Sequence, residues 1–230
     1  MKLRKTILVS VLIGFAFTSI NSQNKKFNFF GSYSYGIGNL TASISSDLRY
    51  PETDEVKKLT SGTISQIELG VYYHSFGLGL IHNAYATNAS TTYDNGDANG
   101  DGYFENGILS DKLNLSFNGL ELLYKTPVFS PKFDVTWKMG LGFQSYSINK
   151  DMIVMGTYAS HYNYTLTGNI LTTMFGAEIN YLLSKIVSIG LETSILPGKY
   201  TKLKNAESTS FIYKDNVTRL STGLKIKLTI

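Results

Sequence analysis

The chain of 230 residues contains no cysteine, only four prolines, one tryptophan and three histidines. Without cysteine there is no disulfide, no thiolate metal site and no cysteine nucleophile. The charge is nearly balanced, with 21 Lys and Arg against 17 Asp and Glu, and no run of basic residues accompanies a nucleic-acid recognition motif. We therefore expect no nucleic-acid partner.

The only stretch apolar enough for a membrane helix lies at the N-terminus. Positive residues in MKLRK precede the uncharged run TILVSVLIGFAF and the small, polar segment TSINSQ, which is the order found in a secretory signal peptide. A retained anchor is the alternative, but the run is short for a spanning helix of about 20 residues. We expect residues 1–23 to be a cleaved signal peptide and residues 24–230 to form one domain.

The rest of the chain alternates apolar and polar residues with a period of two, as β-strands do. In FDVTWKMGLGF the odd-numbered residues from Phe133 to Phe143 are apolar, and RLSTGLKIKLTI at the C-terminus alternates in the same way. The fourth segment changes phase near Asn118-Gly119, where we expect a β-bulge. The pattern predicts eight strands, at 27–38, 64–74, 76–86, 112–125, 133–147, 162–181, 186–196 and 213–230.

Short and long connections alternate between these strands. Tight turns follow the second, fourth and sixth strands, and long loops follow the first, third, fifth and seventh. In an up-and-down barrel such an alternation places all short turns at one end, as in outer-membrane barrels. The sequence therefore predicts an all-β, eight-stranded, antiparallel up-and-down β-barrel.

Alternation alone fits both a soluble barrel with an apolar interior and a membrane barrel with the reverse arrangement. Three features favour the transmembrane barrel. The strands suit a tilted span of about 9–11 residues, aromatic residues concentrate near strand ends as interfacial girdles do, and the chain ends on an alternating strand at Ile230.

Here the chain resembles a family. The stretches GSYSYGIG, FNGLELLYKTPVF, FDVTWKMGLGF and GLKIKLTI are similar to those of small outer-membrane β-barrels of Gram-negative bacteria, such as the OmpA transmembrane domain, OmpX and the "porin family" barrels. The resemblance implies the outer membrane as location and its lipid as a partner. It implies a fold and a compartment, and no reaction.

The polar face of the strands carries charges that we expect to form one belt in the lumen. An eight-stranded barrel is only just wide enough for side chains to fill, so these charges must pair. A plug that closes the barrel and a gated path for ions are the two interpretations, and we favour the plug. The predicted belt consists of Glu68, Glu121, Lys138, Glu178, Glu192, Arg219 and Lys225.

Catalysis has little support in the sequence. Of the three histidines, only His161 lies near a long loop, where Asp47 or Asp111 are candidate partners for a surface lipid hydrolase. Nothing fixes that pairing, so we expect no enzyme activity and no required cofactor. We expect instead a structural or surface-recognition role carried by the loops, which bind an extracellular ligand or partner. A narrow pore is the alternative.

The loop sequence DNGDANGDGYFENG resembles a calcium-binding loop. Aligned to that motif, Asp97, Asn99, Asp101, the Tyr103 carbonyl and Glu105 occupy ligand positions, and Gly102 provides the sharp turn. The twelfth position is isoleucine rather than a bidentate Glu, with Asp94 or Asp111 as replacements. Tight turns use the same residue types. We expect at most a weak calcium site.

Overall fold

A computed structural model describes residues 27–41, 57–96, 105–128, 130–155, 160–205 and 210–230. The predicted signal peptide and most of the predicted calcium loop lie outside these ranges. Within them, no helix is long and apolar enough to cross a membrane.

The described residues form ten antiparallel strands, eight of which close into a ring. Strand β1 pairs with both β2 and β10, and the ring continues through β3, β4, β5, β6 and β7 back to β10. The predicted eight-stranded barrel is confirmed. The strands are β1 (Phe27–Leu40), β2 (Ser61–Tyr73), β3 (Phe76–Gly96), β4 (Glu105–Val128), β5 (Ser130–Met155), β6 (Ser160–Leu182), β7 (Val187–Leu196), β8 (Lys199–Lys204), β9 (Ser210–Asn216) and β10 (Arg219–Thr229).

Short turns lie at one end of the barrel together with the first and last described residues, and we call this the lower end. The β2–β3 turn is the tightest, because Tyr73 pairs with Phe76 across only two residues. His74 in this turn has a φ of 54°, a conformation that glycine and asparagine adopt more readily.

Three of the connections predicted as long loops contain strands instead. β3 and β4 have 21 and 24 residues, and their ladder continues to Gly96 and Glu105. β5 and β6 pair up to Val154 and Ser160. The predicted last strand is in fact two, because β9 forms a hairpin with β8 before β10 begins. These strands extend the wall well above the span that a membrane requires.

The alternation of β4 reverses its polarity partway along the strand. In the upper part Leu115 and Phe117 point into the barrel and are 1% and 0% exposed, whereas lower down Leu120 and Leu122 point outward and are 57% and 58% exposed. Both ladders of β4 pass residues 118–119 without a shift in register. The predicted bulge is therefore wrong, because the apolar residues change face while the strand stays regular.

Strand β5 shows the same reversal. Below it, the outward side chains are large and apolar up to Phe143, and above it Tyr146 and Ile148 are buried inside while Ser145 and Ser147 lie on the outer face. The lower barrel is thus apolar outside and mainly polar inside, and the upper barrel mainly shows the opposite arrangement. Each half has the polarity that its surroundings require if lipid encloses only the lower half.

The outer face of the lower half is apolar on every strand of the ring. Aromatic pairs at the lower rim, such as Phe76–Tyr124 and Phe133–Tyr181, have ring centres 5.0 and 4.9 Å apart. One outward residue from each strand, all at least 40% exposed, gives the series Ile37, Leu69, Leu80, Leu122, Leu141, Ile179, Leu191 and Leu224.

Among the described strands the wall is interrupted between β6 and β7, and it also ends at β9, which pairs only with β8. Strand β6 pairs with β7 only from Phe175 downward, and higher up it pairs with β8 at Thr167. Between these points the Thr172 hydroxyl donates to the Pro197 carbonyl across 2.5 Å. A groove of about 570 Å³ lies on the outside of this gap, beside Gly198.

Candidate functional site

Two lysines and three glutamates form a buried ion cluster in the lower half of the lumen. Lys138 Nζ lies 3.0 Å from Glu178 and 2.9 Å from Glu192, and it also contacts Glu68. Lys225 Nζ contacts the same three carboxylates and lies 3.3 Å from Glu192. The strand alternation places these residues inside, since each occupies the inward face of β2, β5, β6, β7 or β10.

The cluster continues downward to the lower rim. Asn180 Nδ2 donates to Glu178 at 3.0 Å and to Asp134 at 2.9 Å. Asp134 also pairs with Lys125 at 3.0 Å, and this lysine side chain is 38% exposed. Lys227 donates to Glu178 and lies 5.4 Å from the centre of the Phe30 ring.

The cluster also continues upward through two amide side chains. Gln66 Nε2 donates to Glu68 at 2.5 Å and to Glu192. Asn83 Nδ2 in turn donates to Gln66 Oε1 at 2.6 Å, and Asn83 Oδ1 accepts from Arg219 Nη2. We call the hydrogen-bonded series from Lys125 to Arg219 the polar column, because it follows the barrel axis from the lower rim to the height at which the strands reverse polarity.

An apolar cluster fills the barrel above the polar column. It includes Leu115, Ile148 and Leu203 together with the aromatic rings of Tyr85 and Tyr200. The Tyr200 hydroxyl donates to the Gln144 backbone carbonyl at 2.9 Å, and burial raises the pKa of this phenol. The side chains of β8 and of the residues just before β10 complete this layer. The described interior is therefore occupied mainly by charged pairs below, with the small apolar cluster of Phe30, Tyr72 and Leu123 at the lower rim, and mainly by apolar packing above.

Glu121 is the one predicted belt residue without an ion-pair or hydrogen-bond partner in the described part of the chain. Its side chain is completely buried, and neither carboxylate oxygen has a hydrogen-bond partner. It projects between two glycines that are its ladder partners, Gly79 on β3 and Gly140 on β5. Five residues of the predicted belt thus form the ion cluster. Of the other two, Arg219 lies above the cluster and Glu121 lies beside it.

The three glutamates of the cluster have the spacing of a metal site, with one oxygen of each within 4.8 Å of the others. Two ammonium groups already occupy the space among them. The arrangement therefore neutralises Glu68, Glu178 and Glu192 with protein cations, and a divalent metal would have to displace buried lysines.

The predicted calcium ligands Asp97, Asn99, Asp101 and Tyr103 lie outside the described residues. Glu105 is the first residue of β4 and pairs with Gly96.

Of the predicted replacements, Asp111 is not available at the loop tip, because it is buried in the wall and pairs with Lys150 at 3.2 Å. His161 pairs with Asp151 at 2.5 Å rather than with Asp111. Asp47 lies outside the described residues.

Sequence reasoning missed the neutral members of the polar column. The alternation places Gln66, Asn83 and Asn180 on the inward face. Because amides carry no charge, the sequence does not indicate that they belong to a network. Lys227 has the right parity and is absent from the predicted belt. Its contact with Glu178 depends on how far each side chain reaches across the lumen, which the alternation does not specify.

Neither a protein-family model nor a curated protein matches the chain. Among solved structures, it is similar to a major outer membrane protein from Thermus thermophilus, with 10% identity, a TM-score of 0.54 and coverage of 89% of this chain and 99% of that one. It is also similar to the outer membrane protein AlkL in DMPC lipid bilayers, with 9% identity, a TM-score of 0.50 and coverage of 92% and 94%. These similarities establish the fold.

Proposed function

We propose that the chain is an outer-membrane β-barrel of a Gram-negative bacterium whose lumen is closed and whose role is structural or recognitional, performed by the part that projects above the membrane. The observation that carries this proposal is the reversal of polarity along the strands. It divides the molecule into a lipid-embedded lower half and a water-exposed upper half, each with a filled interior.

The closed lumen is supported by the two layers that fill it. Ion pairs among fully buried side chains hold the lower layer in place, and breaking one leaves an uncompensated charge. The apolar cluster above packs Leu115, Ile148 and Leu203 against the rings of Tyr85 and Tyr200. An eight-stranded ring has little room for a water-filled channel beside such groups.

The upper wall is a suitable recognition surface because it is built of paired strands and carries exposed aromatic residues. Tyr162 and Tyr164 are 43% and 44% exposed near the tip of β6, on the face that packs against the apolar cluster lower down. Ile153 and Met155 are exposed on the opposing strand β5. Tyrosine combines a large apolar surface with a hydroxyl and is enriched in binding surfaces.

Planar-bilayer recording tests whether the lumen is closed. We expect no reproducible single channels from the purified barrel, and openings only after the plug is weakened by Lys138→Ala. Regular channels in the unmodified protein that disappear in Lys138→Ala would favour the narrow pore instead.

Cysteine labelling tests the location and the orientation, because the chain has no cysteine of its own. A membrane-impermeant maleimide added to intact cells is expected to label Asn88→Cys on the upper wall and to leave Ser184→Cys in the lower β6–β7 turn unlabelled. Labelling of both positions only after lysis would contradict the surface exposure.

Binding of intact cells to immobilised polysaccharides and proteins tests the recognition role. Barrel-producing cells are expected to bind at least one of these surfaces more than cells without the barrel, and Tyr162→Ser/Tyr164→Ser should remove that difference. The matched control is Asn88→Ser/Asn114→Ser on the polar outer face. Full binding by the tyrosine variant would exclude this surface.

A further inference from the structure

Arg219 is a buried cation without a counter-ion in the part of the chain that the structure describes. Its side chain is 1% exposed, and no carboxylate of the described residues pairs with it. Its Nη2 donates to Asn83, but its Nε and Nη1 have no hydrogen-bond partner. A guanidinium cannot release its proton to escape this situation, as a buried lysine can. Such a group needs an anion near its free N–H donors.

A second buried polar side chain, that of Gln144, also has no hydrogen-bond partner among the described residues. Gln144 is 0% exposed, and neither its Nε2 nor its Oε1 has a hydrogen-bond partner. Buried amides are nearly always hydrogen-bonded, so an unpaired one in a packed interior indicates a missing partner. The amide nitrogen offers two N–H donors that, like the free N–H groups of Arg219, can donate to a shared anion.

Three neighbours connect the surroundings of the two side chains. The Tyr200 hydroxyl donates to the Gln144 backbone carbonyl, and Tyr200 packs in the same apolar cluster as Tyr85, whose ring lies 5.4 Å from the Arg219 guanidinium carbon. Gly198 lies against the Gln144 amide, since a Cβ there would be 2.7 Å from Oε1 and 2.8 Å from Val217 Cγ2. Val217 is two residues before Arg219.

We propose that Arg219 and Gln144 bind a small inorganic anion, of which chloride is the physiological example, at the boundary between the polar column and the apolar cluster. The anion accepts hydrogen bonds from Nε and Nη1 of Arg219 and from the Gln144 amide. Because both side chains are fully enclosed, the ligand is an ion of one or a few atoms, and a phosphate ester or lipid headgroup is too large.

Two neighbouring features do not replace this anion. The Tyr85 ring lies 5.4 Å from the guanidinium carbon, a cation–π contact that supplies no acceptor to the free N–H groups. The nearest carboxylate along the hydrogen-bonded series is Glu68, separated from Arg219 by both Asn83 and Gln66. Among the described residues, no acceptor of the chain therefore takes the place of the proposed ion.

Thermal unfolding of the purified barrel in detergent tests the site. The folded fraction is read from heat-modifiable gel migration, with sodium chloride or sodium gluconate at equal ionic strength and pH. The native barrel is expected to unfold at a higher temperature in chloride than in gluconate, because a ligand that binds only the folded state stabilises it. Arg219→Gln is expected to unfold at the same temperature in both salts. The exposed lysine variant Lys199→Gln is the matched control and should keep the full chloride effect.

A second variant supplies the anion covalently. Gln144→Glu places a carboxylate next to the guanidinium, so its unfolding temperature should at least equal that of the native barrel in chloride and should no longer respond to the anion. This variant keeps the test decisive if Arg219→Gln does not fold. The proposal is overturned if the native barrel unfolds at the same temperature in both salts, or if Gln144→Glu responds to chloride as the native barrel does.

Discussion

Gly79 lies directly opposite Glu121 across the β3–β4 ladder, and a Cβ on Gly79 would lie 2.7 Å from Glu121 Oε1. The glycine therefore provides the space in which the unpartnered carboxylate is packed. On the other side of Glu121, a Cβ on Gly140 would meet nothing closer than 3.4 Å. The two flanking glycines thus differ in how strongly the carboxylate requires them.

This difference gives a matched pair of substitutions. Gly79→Ala should lower the free energy of unfolding by about 1–3 kcal/mol through overpacking, whereas Gly140→Ala should have little effect. In the background of Glu121→Ala most of the cost of Gly79→Ala should disappear, because its closest neighbour has been removed. Urea unfolding in lipid vesicles measures the free energy of unfolding of the native barrel and of each variant. If the costs of Gly79→Ala and Glu121→Ala add up in the double variant, Glu121 is not the group that Gly79 accommodates.

Removal of one central ammonium group should destabilise the barrel strongly. Lys138→Met keeps the length of the side chain but leaves Glu68, Glu178 and Glu192 with one cation fewer, at an expected cost of about 3–5 kcal/mol. The control Lys112→Met, on the exposed outer face of β4, should change stability by less than about 0.5 kcal/mol. The single tryptophan, Trp137, faces outward and reports unfolding by its fluorescence. Equal effects of the two substitutions would contradict a structural role for the ion cluster.

The polarity reversal of β4 predicts where the lipid ends. Ser116 and Leu122 both lie on the outer face, above and below the reversal. A polarity-sensitive fluorophore attached to Leu122→Cys should emit at short wavelength and be quenched by labelled lipids. The same fluorophore on Ser116→Cys should emit as in water. Matching spectra at the two positions would place both in one environment and exclude the boundary proposed between them.

Calcium binding at the β3–β4 connection stays a prediction. Titration calorimetry of the folded barrel should give a weak binding isotherm at about millimolar calcium, the range of extracellular calcium modules. Asp97→Ala/Asp101→Ala should abolish it, and magnesium should compete poorly because it requires stricter octahedral geometry. A heat signal that the double variant retains would assign the calcium to another part of the molecule.

The described residues form ten strands, and the sequence predicted the eight that build the ring, the closure of the ring and its apolar outer face. These follow from local rules, since a period of two assigns each residue to a face and the length of each connection assigns it to an end. The inward parity of Lys138, Glu178 and Lys225 can be read in the same way. Such assignments need no knowledge of what lies across the lumen.

The errors have one physical origin. A bulge in β4 is expected only if the apolar residues face the same side of the barrel wall along the whole strand. In the structure the strand is regular and its surroundings change, so Phe117 and Leu120 are apolar for opposite reasons. The long connections look like loops for the same reason, since strands that leave the lipid no longer show the pattern of the lower barrel.

By itself, then, the sequence determined the barrel and the inward parity of the charges in its lumen, because alternation and turn spacing act along the chain. Only the tertiary structure decided which of those charges meet. Lys138 and Lys225 share three carboxylates, Glu121 forms an ion pair with neither of them, and Arg219 is connected to the cluster only through Asn83 and Gln66. Those relationships depend on the stagger of strands around a closed ring, which brings residues far apart in the chain to one height in the lumen.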